Sequence, residues 1–201
     1  MIFERISVGS MDVNCYVLAS GEGGKAVIID PGDDEQKIRA ALKRHNLSAG
    51  MVINTHGHFD HIGADDAFGV PVYIHELDVP MLKDPKLNFS VFVAGSVKVK
   101  AKVITVKDKE LIGLDGVELE VMHTPGHSAG GISLLLKKPQ EKAVFTGDTL
   151  FYQGVGRTDL GGDSGLLFQG ITEKLFTLPD DTAVYPGHGP FSTIGREKIN
   201  Y

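Results

Sequence analysis

The chain has 201 residues, of which 20 are basic and 26 acidic, and a formal net charge of −6. That balance argues against a general nucleic-acid binder, which presents a basic face, and no apolar run approaches the ~20 residues that a bilayer span needs. The single Cys15 cannot form an internal disulfide, and the N-terminus Met1-Ile2-Phe3-Glu4-Arg5 carries an acid and a base where a secretory leader would be apolar, so the expectation is a cytoplasmic protein outside the membrane.

Short strands are predicted over 2–8, 14–19 and 25–30, with turns at Gly9-Ser10 and at Gly21-Glu22-Gly23-Gly24. The third contains Ala26-Val27-Ile28-Ile29, a continuous apolar run suited to a fully buried central strand. Ile38, Ala41 and Leu42 recur at helical spacing, so 33–46 reads as a helix that Asp33 or Asp34 can cap. A strand at 51–53, a loop, a helix over 62–68, a strand at 72–74 and a short helix over 76–82 follow. The stretch 84–95 has no clear period and reads as a loop. Strands are expected at 98–106, 110–111 and 117–122, then a hairpin of 131–136 with 143–145 across Lys138-Pro139-Gln140-Glu141. A helix over 164–176 and a strand over 182–185 close the pattern. With no linker and no close repeat, one domain over 1–201 with two sheets covered by helices fits best.

The loop after the 51–53 strand holds the densest chemistry, Thr55-His56-Gly57-His58-Phe59-Asp60-His61, with four metal-capable side chains in six residues. Packed so tightly, they would repel one another or stay unsatisfied unless a cation joined them. Imidazole and carboxylate together suit zinc, iron or manganese. His56 and His58 are two apart and point the same way in an extended segment, whereas Asp60 and His61 are adjacent. The spacing suits two neighbouring metals, each needing further ligands. Three later segments repeat one design, an apolar strand ending in a metal-capable residue beside glycine or proline. They supply His127 after Val121-Met122, Asp148 after Ala143-Val144-Phe145, and His188 after Val184-Tyr185.

The series Asp30-Pro31-Gly32, His56-Gly57-His58-Phe59-Asp60-His61, His127, Asp148 and His188 resembles the metallo-β-lactamase superfamily across nearly the whole chain. His61 matches its glyoxalase II-like (hydroxyacylglutathione hydrolase-like) branch; the antibiotic-hydrolysing lactamases typically lack a histidine there. The resemblance implies an α/β fold, a four-layer αββα sandwich of two mixed sheets flanked by helices, with the site at the sheet edges. It implies one metal on His56, His58 and His127, a second on Asp60, His61 and His188, and Asp148 as the bridge. Two divalent ions, zinc foremost and iron or manganese as alternatives, would sit ~3.5–4 Å apart, share a water and lower its pKa to near 7. Their bridging hydroxide would attack a thioester or similar acyl carbon, with Asp60 and Asp148 as the catalytic carboxylates. Asp30 either orients a ligand imidazole or is a plain turn carboxylate, and His123 reads as a supporting residue rather than a ligand. His45 and His75 read as bland.

Substrate contacts are read from two loops. Arg157 either holds a substrate carboxylate or pairs with Asp159 or Asp163, and Tyr152 lies in the same stretch. Phe89 and Phe92 either wall the pocket or pack a surface loop. Glyoxalase II proper carries a lysine and a tyrosine for glutathione where this chain has Gly156-Arg157-Thr158-Asp159, and it adds a C-terminal helical region. Here 13 residues follow His188, so that region is not expected, and the partner is a small thioester or ester. The ending Gly189-Pro190-Phe191-Ser192-Thr193 is similar to the short bacterial branch. The Gly-Arg-Thr-Asp loop also resembles persulfide dioxygenases, which would place a single iron on His56, His127 and Asp148.

Overall fold

Apolar runs broken by glycine-rich turns pair into two six-stranded mixed sheets in the computed structural model, which describes residues 1–93, 95–139 and 142–201. The first sheet runs in chain order: β1 (Ile2–Val8), β2 (Val13–Ala19), β3 (Lys25–Ile29), β4 (Ser48–Ile53), β5 (Val72–His75) and β6 (Val103–Val106). Its first two pairings are antiparallel and the other three parallel. A parallel pair needs a crossover, and α1 (Glu35–Arg44) supplies the one between β3 and β4.

The second sheet has β7 (Leu111–Leu114), β8 (Val117–His123), β9 (Ile132–Lys138) and β10 (Ala143–Gly147), joined antiparallel in sequence. A two-stranded ribbon follows, β11 (Leu150–Phe151) with β12 (Gly154–Val155). The chain then returns through a helix over Ser164–Glu173 to β13 (Ala183–Pro186), parallel to β10, and β14 (Ser192–Thr193). The short helices are α2 (Phe59–Ile62) and α3 (Ser90–Val93); the Ser164–Glu173 helix is α4, and α5 is Ile194–Lys198.

Each sheet buries both faces, which explains the continuous apolar runs in its central strands. Tyr16, Leu18, Val27, Ile29, Met51 and Ile53 of the first sheet meet Leu119, Val121, Ile132, Leu134 and Phe145 of the second in one core cluster. Tyr16 and Phe145 pack edge to face at 5.0 Å. The opposite face of the first sheet (Cys15, Val17, Ala26, Ile28, Val52) packs on Ile38 and Leu42 of α1. The opposite face of the second (Val144, Val184) packs on Leu167 and Ile171 of α4. The order is therefore helix, sheet, sheet, helix, as expected. The two sheets are also tied at one end. Tyr16 Oη donates to the Pro186 carbonyl at 2.6 Å, and Asn14 Nδ2 donates to those of Pro186 and Gly189 at 2.9 Å each.

Several boundaries differ from expectation. The 62–68 helix is instead α2, one turn earlier, followed by a 3₁₀ turn at Asp65–Phe68. Strand 98–106 shortens to β6, because only Val103–Val106 finds β5 to pair with. The 84–95 loop contains α3. Asp34 stands at the α1 N-cap position with φ 48° and makes no cap bond there. Its carboxylate instead accepts from Gly9 N at 3.0 Å and Lys37 Nζ at 2.6 Å. Asp163 does cap α4, accepting from Leu166 N at 3.0 Å. The β9–β10 pairing forms as predicted; Gln140 and Glu141 of its turn lie outside the described residues. Among the described residues no helix is long and apolar enough to cross a membrane.

Candidate metal centre

β3 and β4 are parallel and in register, Ile29 beside Ile53, so Asp30 and the Asn54–His58 loop leave the first sheet at the same edge. β10 and β13 do the same in the second sheet, where Gly147 pairs with Pro186, delivering Asp148 and His188. His127 comes from the loop between β8 and β9. The crevice beyond the carboxyl ends of parallel strands is where open α/β sheets gather ligands. All seven expected residues converge there. His56, His58 and His127 form one group whose donor atoms lie within 4.8 Å of one another; Asp60, His61 and His188 form a second, and His56, His61 and Asp148 a third between them. Asp60 and His61 lie in the first turn of α2 with His58 as its N-cap, so the helix turn, not a loop, aims them.

The second nitrogen of several imidazoles is committed away from the centre. His127 Nδ1 donates to the Arg157 carbonyl at 2.7 Å, and His188 Nδ1 donates to that of Met11 at 3.0 Å. His61 Nδ1 lies 3.0 Å from Asp30 Oδ2. Asp30 also accepts from Thr55 N and Thr55 Oγ1, at 2.7 Å each, and His56 Nδ1 lies 3.2 Å from that hydroxyl. The free nitrogens face inward. His61 Nε2 is 3.5 Å from Asp148 Oδ1, His127 Nε2 is 3.6 Å from Asp148 Oδ2, and His188 Nε2 is 3.4 Å from Asp60 Oδ2. His58 Nδ1 and His127 Nε2 stand 2.9 Å apart.

The donor set fits divalent metal. His56 Nε2, His61 Nε2 and Asp148 Oδ1 are buried atoms with no hydrogen-bond partner; leaving such an atom bare costs about 1–3 kcal/mol, which a cation among them removes. Burial, with the His127 imidazole beside it, pushes His58 down to about 3. Burial and the neighbouring imidazoles push His56 well below its ordinary value. Both are therefore neutral, the state a metal ligand requires. Burial also opposes charge on His61, but Asp60, Asp148 and Asp30 overcome it and raise the ring to about 10. Burial opposes ionisation of Asp60 too, and His61 and His188 overcome it. Burial opposes charge on His188 as well, and Asp60 and Asp148 overcome it and raise its pKa.

The remaining candidates sort by contact. Asp30 is buried, accepts two hydrogen bonds from Thr55 and lies beside His61 Nδ1, so it is more than a turn carboxylate. The His123 ring stacks on His75 at 4.0 Å, and its Nε2 donates to the Ala129 carbonyl at 3.0 Å, supporting the loop that carries His127. Phe89 lines a 480 Å³ cavity over the centre together with Phe92 and Arg157, its ring 5.3 Å from that of His58. The Arg157 guanidinium pairs with Asp159 through two 2.7 Å bonds. Tyr152 is not among the described residues lining that cavity, and Arg196 lies over its ring at 5.9 Å. His45 meets Glu4 at 3.2 Å.

Sequence reading missed Asp78, a fully buried carboxylate accepting from Gly57 N at 3.0 Å, Ser128 Oγ at 2.7 Å and Gly130 N at 2.6 Å. It also missed the Met11 and Arg157 carbonyls, whose role depends on chain path alone.

An αββα sandwich with histidines and aspartates gathered at one sheet edge defines a class of metal-dependent hydrolases. The chain belongs to the metallo-beta-lactamase superfamily, whose family model matches residues 8–188. Among curated relatives, the probable metallo-hydrolase YqgX of Bacillus subtilis is 39% identical, covering 98% of this chain and 95% of its own. Hydroxyacylglutathione hydrolase GloC of Haemophilus influenzae is 34% identical with the same coverage. Among solved structures, BLEG-1 B3 metallo-beta-lactamase is 40% identical at a TM-score of 0.90, covering 98% and 97%. TTHA1623 in a di-iron-bound form is 35% identical at 0.82, covering 98% of each chain. ETHE1 from Myxococcus xanthus is 30% identical at 0.76, covering 100% and 83%.

Proposed function

We propose that this chain is a dinuclear metal-dependent hydrolase of thioesters or similar small acyl compounds, of the hydroxyacylglutathione hydrolase type. The observation that carries this reading is the pair of three-donor groups, His56/His58/His127 and Asp60/His61/His188, with Asp148 between them. Two divalent ions held there, zinc foremost, would supply a water of lowered pKa and a Lewis acid for the developing oxyanion. The chain's own residues do the rest. Asp148 faces both groups, through Oδ1 to His61 and Oδ2 to His127. Asp60 stays ionised, and Asp30, Thr55 and the Met11 and Arg157 carbonyls fix the imidazoles that surround it. Phe89, Phe92 and Leu160 wall the cavity and exclude water from the acyl group.

The test is metal content per chain together with turnover. About two divalent ions, and chelator-sensitive hydrolysis of a thioester, are expected. Metal-loaded protein inert towards thioesters, esters and lactams alike would overturn the reading; β-lactams belong in the panel because the likeness to BLEG-1 weakens the separation drawn from His61. The likeness to ETHE1 supports a second reading, a mononuclear iron dioxygenase using His56, His127 and Asp148. One iron per chain with persulfide-dependent oxygen uptake would favour it.

A further inference from the structure

The cavity over the metal centre has two unlike sides. One is the donor cluster; the other is Met11, Phe89, Phe92, Val93 and Leu160. Phe92 and Val93 are 73% and 69% exposed, an unusual cost for apolar side chains beside a polar site. The wall is fixed in place. Buried Asn88 donates from Nδ2 to the Met81 and Val97 carbonyls at 2.8 and 3.1 Å, and its Oδ1 accepts from Ser90 N at 3.0 Å. Its own carbonyl accepts from Phe59 N at 3.0 Å. Phe89 is held at φ 65°, a region bulky side chains avoid, and this presents its ring to His58. The cation among the lining residues, Arg157, is already engaged by Asp159. A glutathione group carries two carboxylates and an ammonium, and among the described residues lining this cavity there is no lysine and no second arginine to meet it. At 480 Å³ the space is of the size that holds a small ligand.

We propose that the cavity selects neutral thioesters or esters whose acyl group is aliphatic or aromatic, with Phe89 and Phe92 as the specificity-determining side chains. This rests on the hydrolase reading above. In the reaction water adds to the acyl carbon, a C–O bond forms, the C–S bond breaks, and the proton left over goes to the thiol.

The test uses the metal-loaded full chain and compares kcat/KM for the phenylacetyl thioester of N-acetylcysteamine with that for lactoylglutathione. The aromatic thioester is expected to be favoured at least about tenfold, the scale of burying one phenyl group. Phe92→Ser should remove most of that preference by raising KM for the aromatic thioester more than for lactoylglutathione, and Phe92→Leu should restore it. An equal or better rate with lactoylglutathione, or equal losses for both substrates in Phe92→Ser, overturns the proposal and leaves the hydrolase reading standing. If neither thioester turns over, calorimetric binding of two inert thioethers decides the cavity, and the hydrolase reading is left to the ester and lactam panel. Tighter binding of the 2-phenylethyl thioether of N-acetylcysteamine sustains it; tighter binding of S-methylglutathione overturns it.

Discussion

Replacing Asp78 tests whether a buried carboxylate outside the donor set governs the first metal group. It sits in the 3₁₀ turn Glu76–Leu82 and joins Gly57, between His56 and His58, to Ser128 and Gly130, which flank the turn after His127. The approach is so close that a Cβ on Gly130 would lie 2.7 Å from Asp78 Cγ. Burial raises this carboxyl's pKa, and the three hydrogen bonds work against the rise. Asp78→Ala strips the acceptor from two N–H groups and a hydroxyl, at about 1–3 kcal/mol each when left buried. The total is on the order of 4 kcal/mol, a large part of a typical stability. Asp78→Asn keeps the shape but turns an amide N–H towards donors, and it is the variant to measure. Loss of such an outer partner weakens metal binding about 10–100-fold, or ~1.4–2.7 kcal/mol. The assay is a cobalt titration of metal-free protein against a competing chelator, resolving two sites. We expect one site weakened by that factor and the other within about threefold. Equal weakening of both sites, or a lowered Tm with both affinities intact, would refute the argument and leave Asp78 a purely structural residue.

Asp148→Ala should abolish hydrolysis and lower bound metal, whereas His45→Ala, changed far from the centre, should match wild type; turnover surviving in the Asp148 variant would sink the two-metal arrangement. Gly187→Ala would put a Cβ 2.3 Å from Asp148 Oδ1 and 2.8 Å from His61 Cε1, so metal content should fall below one per chain, and normal loading would contradict that geometry. Metal-free protein should depend on pH in two windows. The folded-state pKa of His61 is raised to about 10, so its contribution is complete below ~6.5 and lost as pH climbs through 10. Those of His56 and His58 are depressed, so stability also falls as pH drops below ~6.5, with a limiting slope of about 1.4 kcal/mol per pH unit per group. Urea midpoints at pH 5, 7 and 9 check this, and a flat profile would contradict it.

The donor set was legible because its spacing is chemical: four metal-capable groups in six residues, then three strands that each end in one. The layers were legible because Ala26–Ile29 and Ala143–Phe145 are too apolar for any strand but a covered one. Helix α2 was misplaced because His58, Asp60 and His61 carry no apolar period, and their helical turn is stabilised by tertiary contacts. Asp78 was invisible because one acid in a short turn looks like a surface residue until the chain folds glycines against it. The Arg157–Asp159 pairing, two residues apart, was among the open alternatives, since only the loop's path decides between a substrate and a neighbour.

The tie between Tyr16, Asn14 and the Pro186–Gly189 turn bears on how the molecule comes apart. Residues 56–61 leave one sheet, and residues 127, 148 and 188 leave the other. Each donor group therefore draws on both halves of the chain, and neither half owns a complete binding place. Cations held there would act as rivets through a seam. Stripping them should open the two sheets along that edge first, so that exchange of the amides of Val13–Tyr16, Tyr185, Gly187 and His188 quickens before the outer layers give way.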